Sequence, residues 1–101
     1  MSLRDRLEAD LKEAMRSGDT LRRSVIRLLR SEIHNEEIAS QVDLDDDGII
    51  GVLSRQAQQR RESIEGYTQG NRGDLAEKEK AELAIILEYL PEQLSAEEIA
   101  D

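Results

Sequence analysis

Apolar residues recur at helical spacing in four stretches of this chain. The first stretch predicts a helix over residues 3–17, which Ser17 and Gly18 end because glycine readily takes the left-handed conformation. Asp19 or Thr20 then caps a second helix of about twenty residues, a usual length for a globular domain. Its apolar positions share one arc: Leu21, Val25, Ile26, Leu28, Leu29 and Ile33.

A polar segment over residues 39–47 interrupts this periodicity and predicts a loop. Asp45, Asp46 and Asp47 precede the third helix, where acidic residues favour the positive end of the helix dipole. The buried positions predicted for this helix are Ile49, Leu53, Ala57, Ile64 and Tyr67.

Residues 70–73 predict the turn between the third and fourth helices, and Asp74 is the predicted cap of the fourth. Pro91 prevents that helix from continuing. The buried positions predicted for it are Leu75, Ala76, Leu83, Ile86, Leu87 and Leu90.

The four helices, with no strand-like alternation between them, predict an all-α antiparallel bundle. Residues 95–98 read Ser-Ala-Glu-Glu, a capping box that marks the start of another helix. We therefore expect a four-helix subdomain over residues 1–94, followed at residues 95–101 by the start of a second helical subdomain. Most of that second subdomain would lie outside this sequence, which would be the front of a longer protein.

The composition excludes several classes of protein. The 101 residues include no Cys, Phe or Trp, so a disulfide framework, a thiolate metal site and a cysteine nucleophile are excluded. No apolar run is long enough for a membrane span and residues 1–4 do not open a signal peptide, so we predict a cytoplasmic location without membrane contact. The one histidine, His34, lies among arginines, and we predict no catalytic residue, metal or cofactor in this segment.

The net charge of −9 is unevenly distributed along the chain. Residues 1–34 carry eight basic and six acidic residues, or +2, and the remainder carries six and seventeen, or −11. RNA contact is therefore expected only in the N-terminal third. Arg23, Arg27, Arg30 and His34 lie on one face of the second helix, opposite its apolar arc, and Lys12 and Arg16 add a basic pair on the first. The alternative to RNA contact is a solvated helix face.

Two further patterns predict local structure. Arg60 lies within the apolar face of the third helix and Glu79 within that of the fourth, at similar distances from the turn. Because a half-buried charge needs a partner, we predict an ion pair between them. Residues 43–54 resemble an EF-hand calcium loop, but Ser54 replaces the final glutamate. Calcium binding is the weaker alternative to a helix start.

Several ordered motifs give this chain a resemblance to the GatB/YqeY family over nearly its whole length. In the first half they are Leu3, Leu7, Asp10-Leu11-Lys12, Ala14-Met15, Leu21-Arg22, Val25-Ile26-Arg27-Leu28-Leu29 and Asn35-Glu36-Glu37. In the second half they are Gln59-Arg60-Arg61-Glu62-Ser63-Ile64, Asp74-Leu75-Ala76-Glu77-Lys78-Glu79 and Glu88-Tyr89-Leu90-Pro91-Glu92-Gln93-Leu94-Ser95.

The resemblance implies a two-subdomain helical fold, of which this sequence holds the four-helix N-terminal part. A related module forms the tail of the B subunit of tRNA-dependent amidotransferases, where catalysis belongs to other domains and subunits and the tail helps to hold tRNA. The family is associated by similarity with carbon–nitrogen ligase activity using glutamine as amide donor. The implied function is a noncatalytic module whose tRNA contact lies mostly in the missing subdomain. The alternative is a module that binds an amidotransferase or another protein and has no RNA role.

Overall fold

The computed structural model describes residues 2–91, and every regular element in that range is an α-helix. The elements are α1 (Leu3–Ser17), α2 (Thr20–Ser40), α3 (Asp46–Gln69) and α4 (Gly73–Leu87). The predicted all-α class is confirmed, and α1 has the predicted bounds. The predicted loop is shorter than expected, because α2 continues to Ser40 and α3 begins at Asp46.

Side chains of the predicted types cap α2 and α3. The carboxylate of Asp19 accepts a hydrogen bond from the backbone N–H of Arg22, and that of Asp45 accepts one from Gly48. Each bond satisfies a backbone donor that the first helical turn leaves without a partner. Gly18 ends α1 with φ +77°, the left-handed conformation predicted for it.

The turn between α3 and α4 differs from the prediction. Asn71, with φ +61°, takes the left-handed conformation in this turn. Arg72 is the N-cap residue of α4, its side chain makes no capping bond, and Asp74 lies inside the first helical turn. The prediction that Asp74 caps α4 is wrong, because the helix begins at Gly73, two residues earlier than a cap at Asp74 requires.

The helices form two hairpins, α1 with α2 and α3 with α4, which pack against each other around one core. The most deeply buried of its large side chains are Leu7, Val25, Ile26, Leu29, Ile49, Leu53 and Ile86. Ile64 and Tyr67, predicted to be buried, are half-buried towards the far end of the α3–α4 hairpin. Ile85 and Tyr89 were missed, although they are 6% and 2% exposed. The core therefore extends past the end of α4.

Within residues 2–91, no helix combines the length and the apolarity that a membrane crossing requires. The capping box at residues 95–98 lies outside the described residues. The predicted boundary between two subdomains therefore stays a prediction.

Candidate functional site

The basic residues predicted on one face of α2 reach solvent. Arg27, Arg30 and His34 are exposed, and Arg23 is half-exposed. We call these four residues the α2 basic surface. None of its three arginines forms a salt bridge with a carboxylate of residues 2–91; Arg27 makes only a weak contact, with the Met15 sulfur at 4.0 Å. Their charge is therefore available to an external anion.

A groove of about 570 Å³ lies between α1 and α2, along the α2 basic surface. We call it the α1–α2 groove. Leu7 and Ile33, 1% and 3% exposed, belong to the core and form its apolar floor. Its remaining lining residues are Arg4, Glu8, Arg27, Arg30, Ser31, His34 and Glu37. Arg23 does not line this groove, so the four residues of the surface do not all face one space.

Lys12 and Arg16, the basic pair predicted on the first helix, differ from the α2 arginines. The Lys12 ammonium lies 3.8 Å from the carboxylate of Glu8, and the Arg16 guanidinium lies 3.2 Å from that of Glu13. These are exposed pairs between neighbouring turns of one helix, which are weak in water. The nearby carboxylates nevertheless reduce the positive potential on this side of α1.

Arg4 was not predicted as a site residue, yet it closes one end of the groove. Its guanidinium donates to the Glu37 carboxylate at 2.5 Å and to the Leu44 carbonyl at 3.1 Å. The Leu44 backbone N–H also donates to Glu37, and this bond, followed by the one from Arg4, lowers the pKa of the Glu37 carboxyl. These bonds hold the α2–α3 loop against α1. Arg4 and Leu44 are forty positions apart in the sequence, so only the three-dimensional structure reveals their contact.

Arg60 and Glu79 form an ion pair across the α3–α4 hairpin, with 2.8 Å between guanidinium and carboxylate. Glu82, one turn further along α4, lies 3.4 Å from the same guanidinium. The three side chains are only 14–17% exposed. The Nε atom of Arg60 is buried without a hydrogen-bond partner in the described range. This cluster faces inwards, which suits helix packing better than ligand binding.

A second cluster, which sequence reasoning missed, holds the chain just after α4. Arg22 donates two hydrogen bonds of 2.9 Å to the Glu88 carboxylate, and Arg6 donates to the Glu88 carbonyl at 2.9 Å. The Tyr89 hydroxyl donates to Asp10 at 2.5 Å, and the Arg6 guanidinium lies 4.7 Å from the centre of the Tyr89 ring. We call these five residues the Tyr89 cluster.

The electrostatics of the Tyr89 cluster follow from its hydrogen bonds and burial. The bonds from Arg22 lower the pKa of Glu88, while the same bonds raise the pKa of Arg22. Burial, followed by the hydrogen bond to Asp10, raises the pKa of Tyr89 well above its ordinary value. The cluster therefore keeps Tyr89 neutral and the Arg22–Glu88 pair charged near neutral pH. The motifs that carried the family resemblance include four residues of this cluster: Asp10, Arg22, Glu88 and Tyr89. Their presence in those motifs was the signal in the sequence that could have indicated the cluster.

The segment that resembles a calcium loop is a helix start, as predicted. Asp45 caps α3, and residues 46–54, which would form most of an EF-hand loop, are helical. Among residues 2–91, no group of three or more His, Cys, Asp or Glu side chains is placed to hold a metal ion.

The structure is that of an all-α four-helix module with an exposed arginine surface and a cluster built from family-like motifs. Comparison with known proteins gives its family. Residues 4–101 match the family described as Yqey-like protein. The chain belongs to that family.

Several curated relatives share the name "Altered inheritance of mitochondria protein 41, mitochondrial". The one from Lachancea thermotolerans is 45% identical over 85 residues, which cover 83% of this chain and 46% of the relative. The one from Eremothecium gossypii is 39% identical over 97 residues, covering 93% and 53%. The one from Saccharomyces cerevisiae strain YJM789 is 35% identical over 85 residues, covering 83% and 46%.

These relatives correct one prediction. We expected a cytoplasmic location, and that prediction is wrong, because the relatives are named as mitochondrial proteins. The chain spans about half the length of the curated relatives it matches.

Proposed function

We propose that this chain is a helical module of a protein related to tRNA-dependent amidotransfer, and that its α2 basic surface contacts RNA phosphates. Membership of the Yqey-like family supports the proposal, together with the resemblance to the tail of the amidotransferase B subunit. In this role the module holds RNA, and the amide transfer takes place on other domains or subunits.

The observation that carries the proposal is the pairing of basic residues. Arg4, Arg22, Arg55, Arg60 and Arg72 each lie within 4.0 Å of a carboxylate, whereas Arg23, Arg27 and Arg30 do not. Arginines that lack internal partners can form charge-assisted hydrogen bonds with phosphate without first breaking an ion pair. Three of them on one helix face form a surface suited to successive phosphates.

The net charge sets the strength expected of this contact. The remainder of the chain carries −11, which repels a phosphate backbone. We therefore propose that residues 1–101 alone bind tRNA weakly at physiological salt, and that the second subdomain supplies most of the affinity. The α2 basic surface then fixes how this module lies on the RNA.

The test is titration of labelled tRNA with the full-length protein at several salt concentrations. The triple change R23E/R27E/R30E should weaken binding and reduce the slope of log affinity against log salt by about 2 to 3, the value for three lost phosphate contacts. The matched control is R61E/K78E/K80E, which changes the net charge equally on exposed positions of the α3–α4 hairpin. Equal losses in both variants would show a response to net charge alone and refute the assignment of the surface.

A second candidate function is a protein-interaction module. It is favoured by two exposed apolar side chains near the end of α2, Ile38 at 62% and Val42 at 56%. If this function is correct, the change I38S/V42S should weaken binding to a purified glutamine-dependent amidotransferase while leaving tRNA affinity unchanged. The R23E/R27E/R30E variant should show the opposite pattern under the first proposal.

A further inference from the structure

The α1–α2 groove combines an apolar floor with unpaired cationic side chains. Leu7 and Ile33 form its floor, and Arg27 and Arg30 lie along the α2 side. The two arginines form no salt bridge within residues 2–91, and the Ser31 hydroxyl and the His34 ring make no hydrogen bond there either. A ligand that matches these groups has a flat, partly apolar body and an anionic end.

The balance of charge in the groove limits how many phosphates it can hold. Three arginines (Arg4, Arg27 and Arg30) against two glutamates (Glu8 and Glu37) leave +1 along the lining. This charge suits one phosphate group, as in a phosphodiester or AMP, and would leave most of a triphosphate uncompensated. The carboxylate of Glu8 is also an acceptor, which favours a ligand with hydroxyl donors, such as a ribose.

The size of the groove favours a single nucleotide over a duplex. The groove is a depression between two adjacent helices and is too small to enclose a double helix. Its volume of about 570 Å³ suits one nucleotide. The groove contains no Phe, Tyr or Trp, but an imidazole and guanidinium planes also stack on unpaired bases. His34, Arg27 and Arg30 supply these planes.

We propose that the α1–α2 groove binds one unstacked nucleotide, with its base between the side chains of His34 and Arg27 and its phosphate on Arg30. This inference rests on the proposed function, because it places a single-stranded or looped-out nucleotide of the bound RNA in the groove. Arg23, outside the groove, is left to contact the phosphates of a neighbouring segment.

The first test follows the methyl groups of Leu7 and Ile33 by NMR in the full chain while AMP is added. AMP should shift both resonances, adenosine should shift them less strongly, and inorganic phosphate should leave them unchanged. Arg30→Gln should raise the Kd for AMP about tenfold, the factor for one lost charge-assisted hydrogen bond. Arg61→Gln, an exposed arginine on α3, is the control and should not change it. Equal competition by inorganic phosphate, or no response to AMP, would overturn the proposal by leaving at most a simple anion site.

The second test separates this inference from the proposed function. Ser31→Trp places a bulky side chain in the groove and leaves all three α2 arginines in place. It should abolish the shifts caused by AMP and weaken tRNA binding, but by less than R23E/R27E/R30E. Unchanged tRNA affinity with Ser31→Trp would overturn the nucleotide assignment while the RNA surface stands. Retained AMP binding in a protein that does not bind tRNA would support the groove and refute the proposed function.

Discussion

Arg22 and Arg23 are neighbours in sequence but belong to two different regions of the molecule. Arg22 faces the end of α4 and forms two hydrogen bonds with Glu88, whereas Arg23 lies on the α2 basic surface without a carboxylate partner in residues 2–91. Arg60 and Arg61 differ in the same way on α3. The comparison teaches that an arginine's role here depends on whether packing places a carboxylate opposite it. The paired arginines should therefore control stability, and the unpaired arginines of the α2 basic surface should control binding.

The largest expected effect is on Arg60. Replacing it with alanine leaves Glu79 and Glu82 mostly buried without their cation, which should lower the free energy of unfolding by about 3 kcal/mol. Urea denaturation followed by circular dichroism measures this change. Arg61→Ala is the matched control and should change stability by less than about 0.5 kcal/mol. Similar losses in both variants would show that the Arg60 cluster does not stabilise the hairpin.

Tyr89→Phe should have the next largest effect. The change removes a hydrogen bond to the Asp10 carboxylate while keeping the ring in the core, and it should cost about 1.5 kcal/mol of stability. Tyr67→Phe provides the comparison, because the Tyr67 hydroxyl makes no side-chain hydrogen bond with residues 2–91. A Tyr89→Phe protein as stable as Tyr67→Phe would show that the bond between the Tyr89 hydroxyl and Asp10 does not stabilise the segment after α4.

Glu88→Gln should cost about 1 kcal/mol at neutral pH, the upper end for a solvent-exposed ion pair with two hydrogen bonds. Arg22 lowers the folded-state pKa of Glu88 below its ordinary value of 4.5. The contribution of the carboxylate is therefore fully present above about pH 4.5 and is lost as the pH falls through the lowered folded value. Stability curves of both proteins at several pH values should converge in acid. A constant difference across this range would contradict the role assigned to the pair.

The smallest stability effect is expected on the α2 basic surface. Because Arg23, Arg27 and Arg30 make no internal salt bridge in the described range, the neutral variant R23Q/R27Q/R30Q should unfold within about 0.5 kcal/mol of the natural protein. Its tRNA affinity should nevertheless fall. A loss of more than about 2 kcal/mol would show that these arginines stabilise the fold as Arg60 does, and the contrast between the two regions would be refuted.

The sequence predicted most of the helices because helical periodicity and capping are local. Local signals within a few positions were enough to predict the helix over residues 3–17, its end at Gly18 and the acidic start of α3. The Arg60–Glu79 pair could be predicted because a short turn fixes the register of two antiparallel helices. Glu82 was missed because its approach to Arg60 depends on the packing of α4 against α3.

The candidate site was predicted less completely. The helical face of Arg23, Arg27, Arg30 and His34 follows from spacing alone. The groove does not, because it depends on how α1 packs beside α2 and on Arg4, which is anchored by a loop forty residues away. The Tyr89 cluster joins three segments of the chain (α1, α2 and the residues after α4), and no local pattern indicates such a meeting.

The Tyr89 cluster can form only late in the synthesis of the chain. Arg6 bonds a residue 82 positions later, and Asp10 bonds one 79 positions later. At about 5–20 residues per second, a ribosome needs about 4 to 16 s to synthesise that interval. During this time α1 lacks its contacts with Glu88 and Tyr89, and α2 lacks its packing against α4. The N-terminal hairpin therefore gains its last contacts only when the residues after α4 emerge, and until then part of its apolar surface stays exposed to chaperones and to aggregation.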